Sequence, residues 1–135
     1  MDCSEIELLQ SYYEALNRKD FVALSQTFDP EIEWLEPSET PDGGRWSGRD
    51  AVVSHFEQGV GNWAEGTCVS ERFIPAGDRI VSLEKVNVRL KGREDWNQGH
   101  LAAVFTVREG RIVQGRIFWE RSDALRWVGL EPPIE

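Results

Sequence analysis

Glu36 is the residue from which chemistry can first be argued. It closes the run Ile32, Glu33, Trp34, Leu35, Glu36, just before Pro37. In an extended segment alternate side chains share a face, so Ile32, Trp34 and Glu36 point one way and Glu31, Glu33 and Leu35 the other. A carboxylate ending an apolar inward row is partly desolvated, which disfavours its charge and raises its pKa above a reference of about 4.3. Such a group suits a base that takes a proton from carbon beside a carbonyl. Tyr12 complements it, because a phenol can donate to the enolate oxygen that then develops. Trp34, Phe56, Phe105 and Trp119 can wall an apolar pocket, with Tyr13 beside Tyr12 and Trp63 at its mouth. Leu101, Ala103 and Ile117 share the inward faces of the later strands. Each has a plainer reading: Glu36 as a strand end turned to solvent, the aromatics as ordinary core or rim.

Other titratable groups offer less. His55 lies a helical step off an apolar stripe and is expected to be exposed; His100 is expected on the sheet face opposite Leu101. Neither has metal-motif spacing, and no metal site is expected. Glu84 shares a strand face with Val86 and Val88, and an ion pair with a neighbouring strand's arginine is the expected arrangement. There is no Gly-rich phosphate loop, nucleophile elbow or Cys–His signature, so no cofactor and no covalent catalysis are expected.

The elements that must position these residues follow in order. Ser4 and Glu7 form a capping-box pattern, and Ile6, Leu9, Tyr13 and Leu16 recur at helical steps over about residues 5–18. Asp20 caps a second helix with Phe21, Leu24 and Phe28 on its apolar face, stopped by Asp29–Pro30. Residues 31–36 form a strand. The loop 37–48, rich in Pro, Gly and Ser, is long enough to act as a lid or rim. A third helix carries Val52, Val53, Phe56 and Val60. Strands then span 67–74, 79–90, 97–108 and 111–120, the last two joined across Glu109–Gly110. A terminal helix begins with Ser122 as its cap and ends at Gly129. This segregation of strands from helices predicts an α+β domain spanning 1–135, a curved antiparallel sheet with three helices over its concave face. Ala102, Val104, Ile112 and Phe118 make the other sheet face apolar too, which predicts a homodimer through that face.

The chain has 135 residues and is 40% hydrophobic and 29% charged, a globular composition able to bury a core. Its net charge of -9 argues against nucleic acid and against an anionic membrane surface as partners. Two cysteines give no disulfide framework. No signal peptide or spanning segment is evident, so the cytoplasm is the expected location.

Three stretches, taken together in order, resemble the nuclear transport factor 2-like superfamily: YYEALNRKDFVALSQTFDPEIEWLEP, GRWSGRDAVVSHF and VFTVREGRIVQGRIFWERSDALRWVGL. The last is similar to the C-terminal signature of SnoaL-like proteins. The resemblance covers nearly the whole chain and implies a cone of curved sheet and helices around a pocket. It does not choose among isomerases, cyclases, epoxide hydrolases, dehydratases and non-enzymatic members. Ketosteroid isomerase, one member, has a catalytic tyrosine eight residues before an Asp opening the second helix; Tyr12 stands so before Asp20. Its base is the acid of an Asp-Pro step, which Glu36–Pro37 matches with Glu for Asp. Its third acid would fall at Ala103 and is missing here. The Asp–Arg–Asp set of the epoxide hydrolase members is not placed.

Two functional readings follow. One is a cofactor-free isomerase or polyketide-type cyclase acting on a small apolar or ring-containing carbonyl compound. The other is a non-catalytic ligand-binding or dimerisation module. Glu36 with Tyr12 favours the first, Ala103 the second.

Overall fold

The computed structural model describes residues 3–38 and 44–132. Helix α1 (Cys3–Arg18) buries Leu9, Tyr12, Tyr13, Ala15 and Leu16 along one side. Lys19 turns the chain with a left-handed φ of 58°, and the Asp20 carboxylate caps α2 (Phe21–Gln26) by accepting from Ala23 N at 3.0 Å. The short helix ends earlier than the sequence suggested. Phe28, Asp29 and Pro30 already belong to strand β1 (Phe28–Leu35), and Phe28 is buried in the aromatic core rather than on a helix face. Pro30 is tolerated there because the β1 register is irregular between Phe28 and Glu33, where a ladder donor is not needed.

A three-residue strand, β2 (Arg45–Ser47), pairs antiparallel with β1, inside the stretch expected to be all loop. The rest of that stretch includes residues outside those described, so the expected lid falls partly outside them. Helix α3 (Arg49–Gly59) and a 3₁₀ turn (Val60–Asn62) lead into β3 (Trp63–Ala76), β4 (Arg79–Leu90), β5 (Trp96–Arg108) and β6 (Arg111–Phe118). The sheet order is β2-β1-β6-β5-β4-β3. All pairings are antiparallel except β1 with β6, which is parallel. Those two strands are distant in sequence, so no hairpin dictates their direction.

Irregular register in β3, at Trp63/Glu65 and at Ser70/Arg72, bends the sheet. Gly66 sits at the first bend with φ +114°, where a Cβ would lie 2.1 Å from Asn87 O. Asn17 blunts the outer edge of β3: its amide accepts from Cys68 N and donates to Cys68 O, each at 2.9 Å, much as a neighbouring strand would.

The two faces of the sheet are covered differently. The concave face meets α1, α2 and α3 over a core containing Phe28, Ile32, Trp34, Phe56, Phe105 and Ile112. The opposite face is covered by α4 (Arg121–Trp127), whose Ala124 and Leu125 pack on Ile74, Val81, Leu83, Ala102 and Val104. Ala102 and Val104, two of the residues that pointed to a second copy, are thus buried against the chain's own last helix; Phe118 packs partly on the same cluster, and Ile112 belongs to the concave core. Glu120, not Ser122, stands at the cap position of α4, and no side chain caps it. At its end Gly129 has φ +87°, and Leu130 N returns to Leu125 O at 2.8 Å. Among the described residues no helix is long and apolar enough to cross a membrane.

Candidate functional site

Between the helices and the concave sheet lies a cavity of about 330 Å³, within the usual range for small-ligand sites. Eight of the eleven residues singled out from sequence line it: Tyr12, Trp34, Glu36, Phe56, Trp63, Leu101, Ile117 and Trp119. Tyr13, Ala103 and Phe105 do not; Ala103 and Phe105 are fully buried core behind the wall. The wall also includes Leu16, His55, Val60, Cys68, Glu84 and Val86. Trp119 is 60% exposed, which places it at the rim, whereas Tyr12 and Glu84 are 2% and 3% exposed and sit on the floor.

Glu36 is half-buried and held by two donors on one oxygen. Trp34 Nε1 donates to Oε2 at 2.8 Å, and His55 Nε2 lies 2.7 Å from the same atom. Burial pushes the Glu36 carboxyl up, but the bonds from His55 and Trp34 and the imidazole's charge outweigh it, and the pKa falls below the ordinary carboxylate value. This corrects the expectation of a raised pKa. The alternation argument placed the side chain inward but could not count its donors.

His55 is not the exposed residue expected. Its ring stacks on Trp46 with centroids 3.6 Å apart, which aims the imidazole at Glu36. The signal was present in the sequence: His55 is three residues after buried Val52, on a shoulder of the apolar stripe.

Glu84 is the second carboxyl on the cavity, and it is not in an ion pair. The nearby arginine, Arg121, donates to the backbone oxygens of Glu84 at 2.8 Å and Leu101 at 3.1 Å, and pairs its side chain with Glu71. The Glu84 carboxyl instead meets the Tyr13 hydroxyl at 2.5 Å. Burial dominates here and raises its pKa to about 7, against the lowering effect of the hydrogen bonds from Tyr13 and Cys68. The Cys68 thiol is itself pushed well up by burial and by Glu84, so it is a poor nucleophile.

The Tyr12 ring sits among Tyr13, Phe28, Trp34, Phe56 and Phe105. Its hydroxyl makes no hydrogen bond among the described residues. Burial and the nearby Glu84 raise its pKa well above that of a free phenol, so it stays a neutral donor. Among the described residues no group of three or more His, Cys, Asp or Glu could hold a metal ion.

An α+β cone with one apolar cavity is the architecture on which comparison with known proteins converges. The SnoaL-like domain family matches residues 9–115, and the chain belongs to that family. Among solved structures, an NTF2-like protein of unknown function from Burkholderia pseudomallei is 23% identical, with 96% of this chain and 99% of that one covered at a TM-score of 0.76. A Mycobacterium tuberculosis protein in complex with estradiol-17beta-hemisuccinate is 18% identical over 87% and 94%, TM-score 0.75. A protein with a ketosteroid isomerase-like fold from Catenulispora acidiphila, in complex with trimethylamine, is 16% identical over 92% and 93%, TM-score 0.73. No curated protein matches the sequence.

Proposed function

We propose that this protein binds a small, mostly apolar carbonyl compound and moves a proton on it by side-chain acid–base chemistry. The observation that carries this reading is the pairing of two carboxyls on one apolar cavity, Glu36 beside two donors at the rim and Glu84 buried on the floor, surroundings that lower the pKa of the first and raise that of the second. Environments that push two acids apart assign the base and the acid. Glu36 is the base, taking a proton from carbon beside the carbonyl. The enolate oxygen then receives hydrogen bonds from the Tyr12 hydroxyl and from protonated Glu84. Glu84 supplies, from β4, the acid that the isomerase resemblance would have put at Ala103 on β5; Glu84 pairs with Leu101, two residues along that strand. Return of the proton from Glu36 to a different carbon gives isomerisation. Attack of the enolate carbon on a second carbonyl gives cyclisation. The steroid derivative held by the Mycobacterium tuberculosis structure is a ring compound of the kind such a cavity suits.

A second reading, a ligand carrier of the same fold, is favoured by one observation. Both hydrogen bonds to Glu36 fall on Oε2, and bonds to the charged form weaken a base. Deuterium wash-in separates the two. β-Tetralone and related cyclic ketones are incubated with the protein in D₂O and followed by NMR. The enzyme reading expects exchange beside the carbonyl, reduced about a hundredfold or more in Glu36→Gln. Exchange that survives Glu36→Gln, or ketones that bind without exchanging, would leave the carrier.

A further inference from the structure

Tyr13 and Ser82 are outside the cavity wall, yet both spend polar groups in the core. The Tyr13 hydroxyl lies 2.5 Å from Glu84 Oε2 and 2.6 Å from Ser82 Oγ. Ser82 Oγ lies 2.7 Å from Ser70 Oγ, and Ser70 Oγ donates to Arg72 O at 3.2 Å. Ser82 is fully buried on the inward face of β4. Ser70 is half-buried on the edge strand β3 and lines an open cleft with Tyr13 itself and with Gln10, Glu14, Asn17 and Arg18 of α1. Three hydroxyls therefore run without a gap from the cavity floor to the cleft between α1 and β3.

A hydroxyl both donates and accepts, and its proton rotates freely. As placed, Tyr13 donates to Glu84; when protonated Glu84 turns its proton from the cavity to Tyr13, Tyr13 donates to Ser82, Ser82 to Ser70 and Ser70 to a water in the cleft. With Glu84 ionised, the whole row reverses and a water in the cleft donates to Ser70. These two arrangements differ by one proton passed along the row, each oxygen taking one and giving one. A packing role alone would be met by an aliphatic residue at 82, whose strand neighbours Ile80 and Val81 and partner Ala103 are all apolar.

We infer that Tyr13, Ser82 and Ser70 form a proton path between Glu84 and the α1–β3 cleft, by which Glu84 exchanges its proton with solvent while a ligand fills the cavity. This rests on the reading of Glu84 as a proton-bearing group of the site, but it is tested without turnover, with the cavity filled by 2-naphthol, a planar relative of the β-tetralone enol, so that Glu84 cannot exchange through the cavity mouth. Protein carrying ¹³C-labelled glutamate is titrated, and the Glu84 carboxyl resonance is assigned by its loss in Glu84→Gln. In the wild type, one averaged line is expected throughout the titration. In Ser82→Ala, and in the milder Ser70→Ala, exchange slows by about tenfold or more and the line broadens or splits. Ser82→Thr, which keeps the hydroxyl, restores it. A hydroxyl with only a structural role would move the midpoint and leave the line averaged. That result, in both alanine variants, overturns the path. Failure of ketone exchange with the broadening intact would remove the proposed reaction and leave the path standing.

Discussion

Glu36 and Glu84 are the same residue type on inward strand faces of one sheet, and one cavity touches both. Glu36 directly follows β1 near the rim, where an indole N–H and an imidazole reach the same oxygen. Glu84 lies mid-strand in β4, behind α1, where its carboxyl finds a phenol and a thiol. Burial pushes both carboxyls up. The sign of the outcome differs because Glu36 is only half-buried and its bonds from His55 and Trp34 outweigh that burial, whereas for the far more deeply buried Glu84 the bonds from Tyr13 and Cys68 and the charge of Arg121 do not. Depth and donors together set a carboxyl's charge.

The largest effect expected from this contrast is a stability that runs opposite ways with pH. Glu84 has a folded pKa of about 7 against 4.5 for an ordinary carboxyl. Above 4.5 the unfolded chain loses this proton while the folded one keeps it. The stability Glu84 contributes is therefore fully present at low pH, declines as pH rises from 4.5, and is gone once pH passes 7. A shift of that size corresponds to about 3 kcal/mol. Chemical denaturation of wild type and Glu84→Gln at pH 5 and pH 8 checks it. The neutral variant should be close to wild type at pH 5 and clearly more stable at pH 8. Equal dependence on pH in the two proteins would mean that Glu84 is charged in the fold.

A smaller effect isolates the Glu36 side. Gly115 is the β6 partner of Trp34, and a Cβ there would lie 2.1 Å from the indole ring. Trp34 is buried against Gly115 and in turn donates to Glu36. Gly115→Ala must displace the ring, costing about 2 kcal/mol by overpacking. It should also loosen Glu36 while leaving the Glu84 titration in place. Denaturant midpoints together with carboxyl ¹³C titrations of both residues read the two consequences separately.

How far this site could be read from sequence follows from which links are local. Two-residue alternation was enough to turn Ile32, Trp34 and Glu36 inward and to place Glu84 with Val86 and Val88. Helical spacing gave α1 and its tyrosines, and Gly129 gave the end of α4. What alternation does not encode is the partner across the fold. Tyr13 and Glu84 are separated by 71 positions, and only the seating of α1 on β4 brings them together. His55 was missed for a similar reason, since its direction depends on stacking against Trp46 from β2, a strand too short for any periodic signal. The apolar second face was legible, but the part that α4 takes was not, because a seven-residue helix gives little sign of which surface it will meet. The parallel β1–β6 contact was missed because adjacent strands in sequence are the only ones whose direction a turn reveals.

The finest test removes one of the donors that separate the two acids. His55→Phe keeps a flat ring to stack on Trp46 and deletes the donor to Glu36. Glu36 has a folded pKa below the ordinary value, so its contribution to stability is present above about 4.5 and is lost as pH falls. Without His55 only the Trp34 N–H opposes burial, and the Glu36 midpoint should move up, in the direction of Glu84. The stability lost near neutral pH should be about 1 kcal/mol, the scale of one hydrogen bond to a half-buried charge. A Glu36 midpoint unchanged in His55→Phe would assign the whole effect to Trp34. The two carboxyls would then differ by depth and one indole N–H, and the imidazole would be only a wall of the cavity.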